Sequence, residues 1–246
     1  MNGTTLASEH GWNVTRHATK SLLKHLIRTD SRIGEPSKFG VVHRVLVDNG
    51  NKYQFVMKTI RIPRQFVTGF SLNFNTMKTK VNKNNNRNKY LDLVNTFKTE
   101  VGIGSLKNIG EVGPRVFAWR ITPTGGEYIM DNVQLGDSDA KVLPLAKVIS
   151  WVRSNPSILD NVLKTITRFQ QITKGFHGDL HKNNIQIVKS PSGIYTMIID
   201  YGAWRSKNTN FGKAVTTHHG MNVFRPGNKG SFFIKNSNMI ARIIKN

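Results

Sequence analysis

Apolar residues run along this chain in short stretches with two kinds of spacing. In residues 15–27, Leu22, Leu23, Leu26 and Ile27 recur at helical intervals and predict a helix. Residues 41–47 alternate in part and end at Asp48-Asn49-Gly50, and a second apolar stretch over 53–62 stops at Pro63. An Asn-Gly pair between two such stretches predicts a β-hairpin, because both residues tolerate the positive φ of a tight turn. Residues 90–109 return to helical spacing, with Leu91, Val94, Phe97 and Val101 on one face and Gly102 and Gly104 weakening the second half. Residues 116–121 and 127–130 predict a second hairpin around Pro123-Thr124-Gly125-Gly126. Helices follow over 139–151 and 156–172, the latter with Asn155 as N-cap and Pro156 at its first position. Short strands over 185–188 and 195–199 meet at Ser192-Gly193. Strands and one helix first, then mostly helices, give an α+β, two-lobed order. Residues 71–89 are polar and rich in Asn and Lys, and read as a loop insertion.

Composition adds a constraint. Over 246 residues, 36 Lys and Arg against 14 Asp and Glu leave a formal net charge of +22, and 38% hydrophobic residues are enough for a core. No acidic residue lies between Asp48 and Asp92 or after Asp200, so two basic blocks flank a nearly neutral middle. Such blocks are either solvated faces or a docking surface for a polyanion, such as nucleic acid or a virion protein. No apolar stretch reaches the roughly 18 residues of a membrane span, and the first 20 residues lack the apolar core of a secretory signal. An intracellular chain is expected. Cysteine is absent, which excludes a disulfide framework and thiolate chemistry.

Candidate chemistry gathers around two carboxylates. Asp179 lies in His177-Gly178-Asp179-Leu180-His181-Lys182-Asn183-Asn184, between a predicted helix and a predicted strand. Asp200 ends the apolar run Met197-Ile198-Ile199 and precedes Tyr201-Gly202. A short hairpin between them brings Asp179, Asn184 and Asp200 near one another, a hard-oxygen donor set suited to Mg²⁺, and Mg²⁺ suits phosphate. Upstream, Lys58 closes the apolar Phe55-Val56-Met57.

These motifs, in this order, resemble the catalytic core of the protein-kinase-like superfamily over residues 30–205. His177-Gly178-Asp179 with Asn184 is similar to the catalytic loop, and Asp200-Tyr201-Gly202 to the metal-binding D-F-G. Val56-Met57-Lys58 resembles the strand that carries the nucleotide-binding lysine. The segment from Arg32-Ile33-Gly34 to Gly40-Val41-Val42 resembles the glycine-rich loop, Glu100 the glutamate that pairs with the lysine, and residues 127–132 the hinge. The resemblance implies an α+β, two-lobed kinase-like fold that binds ATP and Mg²⁺. Asp179 would orient or deprotonate the acceptor hydroxyl, and Asn184 and Asp200 would hold Mg²⁺. Lys58, fixed by Glu100, would bind phosphates. Gly34, Gly40 and Val42 would cover the nucleotide, and Met130 and Asp131 would meet it at the hinge.

The resemblance divides the chain into an N-terminal helical extension (1–29), an N-lobe (30–132) with the insertion 71–89, a minimal C-lobe (133–205) and a basic tail (206–246). It implies an ATP-dependent Ser/Thr protein kinase acting on acidic or phosphate-bearing proteins. Beside this stand a weakly active or inactive kinase-fold binding module, such as a virion component, and a small-molecule kinase. Several positions depart from the family. Pro36 stands where a middle glycine is usual, Gly178 replaces the arginine beside the catalytic aspartate, and His181 replaces the catalytic-loop lysine. Only 44 residues follow Gly202, with no A-P-E motif. His-Gly-Asp is similar to RIO-like and aminoglycoside kinases, and short basic chains of this kind are similar to kinase-like proteins of large DNA viruses. For such a protein the host cytoplasm or the virion is the expected place.

Overall fold

The computed structural model describes residues 4–37, 40–47, 50–61, 86–122, 125–133 and 140–206. It is α+β, and the chain divides into two compact units. One comprises Met1–Ser105 with Arg115–Gly136, the other Leu106–Pro114 with Asp137–Asn246.

The first unit is built on a seven-stranded antiparallel sheet in the order β1-β3-β4-β5-β7-β6-β2. Its strands are β1 (Thr4–Thr5), β2 (Asn13–Val14), β3 (Leu26–Ser37), β4 (Gly40–Val47), β5 (Gly50–Arg61), β6 (Val116–Thr122) and β7 (Gly125–Asp131). Alternation along the strands gives the sheet two apolar faces. Val45, Phe55, Met57, Phe117 and Ile129 pack on one face with Leu6, Leu23 and Leu26. The Phe55 and Phe117 rings meet edge to face at 4.9 Å. Ile60, Val116 and Tyr128 pack on the other with Leu93 and Phe97 of helix α1 (Asn86–Gly104). Each such buried side chain contributes about 1.5–3 kcal/mol.

Residues 15–27 are not the predicted helix. Leu22–His25 is a single 3-10 turn, and Leu26 opens β3. Tertiary packing overrides the local spacing, because Leu23 and Leu26 serve the sheet's core with Leu6. The N-terminal residues are therefore part of the sheet rather than a helical extension, with β1 on β3 and β2 on β6. Helix α1 begins earlier than predicted and takes in residues 86–89 of the expected insertion; residues 71–85 lie outside the described residues. It ends at Gly104, where a Cβ would strike the Val116 side chain. The boundary also differs, since residues 106–114 belong to the second unit.

The second unit holds β8 (Lys141–Pro144), α2 (Leu145–Arg153), α3 (Pro156–Thr173), β9 (Gly175–Phe176), β10 (Ile185–Ser190), β11 (Gly193–Ile198) and β12 (Arg205–Ser206). The helix predicted over 139–151 is split. Val142 and Leu143 pair with β10, and Pro144, which cannot donate to a helix, stands just before α2. Helix α3 buries Ile158, Val162, Ile166 and Phe169, and its Asn161 accepts a 2.7 Å hydrogen bond from Thr196 of β11. Pro156 sits in the first turn as expected, but the Asn155 side chain does not cap; it donates to the Trp151 carbonyl at 2.6 Å. Ser206 of the expected tail is in β12, and residues 207–246 lie outside the described residues. No helix among the described residues is long and apolar enough to cross a membrane.

Candidate functional site

In the first unit, Lys58 lies near the end of β5, between Val42 of β4 and Tyr128 of β7. The even step to Ile60 puts its side chain on the face that α1 covers. Leu93, Phe97 and Glu100 follow one stripe of α1, so Glu100 points to the sheet with its apolar neighbours and is 3% exposed. Lys58 Nζ donates to Glu100 Oε1 at 2.8 Å, and lies 6.0 Å from the centre of the Tyr128 ring. The sequence places 41 residues between the two partners, and the fold brings them together. A charge this buried needs its partner, and here each answers the other.

The expected glycine loop is largely strand. Gly34 lies within β3, and Gly40 opens β4 opposite Ser37. Between Ile33 and Ser37 the register slips by two residues against Val42 and Gly40, so Gly34 and Pro36 occupy a bulge, where proline's missing N–H is tolerated. Gly40 has a packing reason to be glycine, since a Cβ there would collide with the Thr59 carbonyl oxygen. Residues 38–39 lie outside the described residues.

Met130 and Asp131 end β7 between β5 and β6. The Asp131 carboxylate accepts from Arg115 Nε at 2.8 Å, from Arg115 Nη2 at 3.1 Å and from the Arg115 backbone N–H at 2.9 Å. Its own N–H donates to the Arg115 carbonyl at 3.0 Å. This fork holds the Arg115 guanidinium above its usual range, chiefly through the hydrogen bonds to Asp131. Asp131 is thus a clamp between β6 and β7, a role its sequence context does not signal, and its side chain and N–H are already engaged.

In the second unit, β9 leads into residues 177–184, the hairpin β10–β11 follows, and β12 returns to pair with β9. The segment bearing Asp179 and the turn bearing Asp200 are therefore closed on each other. Ile199 N–H donates to the Asn184 carbonyl at 3.0 Å at the hairpin's open end, which sets Asn184 beside Asp200. Asn184 Nδ2 donates to the Asp179 carbonyl at 2.9 Å, leaving its amide oxygen as the acceptor. Asp200 is exposed and left-handed, with φ 65°. For a non-glycine residue that conformation is uncommon and costs free energy. Asp179 Oδ1 is buried without a hydrogen-bond partner among the described residues, and Asp179 Oδ2 is 3.8 Å from His181 Nε2. The Asn183 N–H donates to His181 Nδ1 at 3.2 Å, so the ring hydrogen lies on Nε2, toward Asp179.

Gly178 has two reasons to replace arginine. Its φ is 79°, and a Cβ would collide with the Ala203 carbonyl oxygen. His177, 3% exposed, is a core histidine, bonded through Nε2 to the Ile199 carbonyl at 2.7 Å. Burial depresses its pKa, and the Ile199 bond and the charges of Asp200 and Asp179 offset this in part. Tyr201 is buried and its hydroxyl donates to the Pro114 carbonyl at 3.4 Å, where Gly113 leaves it room.

The donor set fits Mg²⁺ bound to a phosphate. Asn184 and Asp200 offer hard oxygens, and Mg²⁺ commonly takes one or two carboxylates and completes its shell with water and phosphate. Asp179 Oδ1, without a hydrogen-bond partner among the described residues, is a further hard acceptor on the same loop.

No family model and no curated protein matches the sequence. A crystal structure of WbdD is similar to it. The match has 13% identity and a TM-score of 0.44, and covers 72% of this chain and 33% of the WbdD chain. The chain thus spans about a third of the length of that protein.

Proposed function

We propose that this chain is an ATP-dependent phosphotransferase with a kinase-like two-lobed fold, and in the first place a Ser/Thr protein kinase. The observation that carries the reading is the 2.8 Å pair between Lys58 on a strand and the buried Glu100 on a helix. A lysine fixed in this way presents a constant positive charge to phosphate oxygens. The loop of the second unit supports the same reading. Asp179 is held by Asn184 with one oxygen unpartnered among the described residues, the state required of a group that accepts a hydroxyl hydrogen bond. When bound, ATP would supply the phosphoryl group and leave as ADP, and Mg²⁺ would neutralise charge on the transferring group. Of the chain's own residues, Lys58 would bind phosphate oxygens, Asn184 and Asp200 would hold the metal, and Asp179 would orient the acceptor hydroxyl and take its proton. With a net charge of +22, acidic or phosphate-bearing proteins are the favoured acceptors.

That charge also favours a second reading, a kinase-fold binding module on a polyanion, with catalysis lost. Thermal shift with Mg²⁺-ATP separates the two, since a ligand of the folded state raises the melting temperature. The enzyme reading expects a shift in the wild type that Asp200→Ala loses. It also expects Asp179→Asn to keep the shift while transfer falls about a hundredfold or more. No wild-type shift at millimolar nucleotide would overturn it.

A further inference from the structure

The sheet face opposite Lys58 carries a cluster of cations that the nucleotide reading does not use. On β3 and β4, Arg32 is the direct cross-strand partner of His43, and His43 is that of Met57 on β5. Met57 is buried in the core with Leu6 and Leu23, so this row stands on the face the N-terminal residues cover in part. Arg61 is four residues beyond Met57 on β5, an even step that keeps it on that face. Arg28, paired with Val45, stands there too.

Arg32 and Arg61 are exposed, and among the described residues neither has a carboxylate within ion-pair distance. Among the described residues, the carboxylate contacts of Arg28 are long, 3.8 Å to Glu9 and 4.0 Å to Glu127. His43 Nδ1 is buried with no hydrogen-bond partner among the described residues. The ring feels its neighbours: burial lowers its pKa first, then the charges of Arg28, Arg32 and Arg61, with Asp30 alone opposing.

We infer that Arg32, Arg61 and His43 form a binding site for a single phosphate monoester, on the face of the sheet opposite Lys58. Arginine suits that ligand because its planar fork matches phosphate oxygens. The boundaries of the cluster argue for one phosphate rather than a track of them. Asp30 lies on its β3 side. Toward β7 lie Glu127 and Glu9, which hold Arg120 at 2.6 and 2.5 Å. A nucleic-acid backbone would bring successive phosphates against those carboxylates, whereas one dianion fits between them. The monoester can be a phosphorylated side chain of a protein or a small phosphorylated molecule.

The test uses the full chain, inorganic phosphate, free phosphoserine, a phosphoserine peptide with neutral flanks and its unphosphorylated form. Inorganic phosphate is expected to move the His43 imidazole resonances and carry their titration up toward the ordinary range. The phosphopeptide is expected to outbind its unphosphorylated form by about tenfold or more, with Arg32→Ala and Arg61→Ala each removing about tenfold. Asp200→Ala should bind normally, which keeps a failure here distinct from a failure of the nucleotide reading. Both arginines are exposed, so an unchanged melting temperature in each variant excludes unfolding as the cause. Equal affinity for phosphoserine and phosphopeptide identifies a small ligand, and a gain from the peptide identifies a protein. Indifference to phosphate or to both substitutions overturns the site. A DNA duplex of matched charge that binds as well as the phosphopeptide overturns the monoester in favour of nucleic acid.

Discussion

The charged groups of the two units are held in opposite ways. In the first, Lys58 and Glu100 satisfy each other across a packed sheet and helix, the glutamate 4% and the lysine 17% exposed at the side chain. In the second, Asp179, Asn184 and Asp200 are positioned by backbone. Carbonyls and N–H groups fix the loop, a left-handed Asp200 and a left-handed Gly178 bend it, and a buried carboxylate oxygen of Asp179 is left without a partner among the described residues. The pair answers its own charges, whereas the loop leaves one acceptor unmet among the described residues. Strain and unmet hydrogen bonds persist only where surrounding structure enforces them, and they mark the place where a bound group has something to add.

The loop is therefore where one added carbon should do the most harm. Gly178→Ala puts a Cβ on a residue at φ 79° and drives it into the Ala203 carbonyl. The left-handed conformation alone costs about 1–2 kcal/mol and the enforced shift about 1–3 more. Urea unfolding is expected to show a loss of about 2–5 kcal/mol in total. A loss below about 1 kcal/mol would mean that the loop yields easily and stores no strain.

The pair should respond less, and its response can be reversed. Glu100→Ala leaves a lysine ammonium on a buried face. Breaking a fully buried pair costs about 3–5 kcal/mol, but Lys58 reaches solvent in part, so about 2–3 is expected. Lys58→Met with Glu100→Leu should recover most of that loss, since no charge is left unanswered, while losing the response to Mg²⁺-ATP. Recovery of stability together with an intact nucleotide response would remove the pair from the site.

What the sequence makes legible follows the same division. The β4–β5 and β6–β7 hairpins, α3 and the β10–β11 hairpin all declare themselves through local alternation, helical spacing or turn residues. The first residues do not. Leu22, Leu23, Leu26 and Ile27 have helical spacing, yet Leu23 and Leu26 are claimed by a core that also contains Phe117 and Ile129, nearly a hundred residues on. Strand β8 is hidden in the same way, its identity fixed by Val142 and Leu143 pairing with β10. At the candidate site, Asp179, Asn184 and Asp200 are readable because a short hairpin forces their proximity. Glu100 is readable only through the resemblance, since the helical face read from spacing holds Leu91, Val94, Phe97 and Val101. The Asp131–Arg115 clamp and the Arg32–His43 cross-strand pair have no local signature, because only strand register creates them.

The smallest effect expected is one of pH, and it belongs to the loop alone. Buried neutral, His177 has a pKa below its ordinary 6.5, mainly because burial disfavours the charged ring. The unfolded chain then binds a proton near that ordinary value while the folded chain does not, so stability rises with pH across this interval. His177's contribution is complete above about pH 6.5 and is lost as pH falls from there toward the folded pKa, below which the loss stops. The carboxylates nearby work the other way: Asp200 and Asp179 favour the charged ring, so Asp200→Asn should lower the folded pKa further and widen the window. Imidazole nitrogen shifts read this directly. At pH 6 the ring should be neutral with its hydrogen on Nε2, bonded to the Ile199 carbonyl. A ring found half-protonated at pH 6.5 would mean that the two carboxylates outweigh burial, and that the loop is more open to water than its packing on Phe169 and Tyr201 implies.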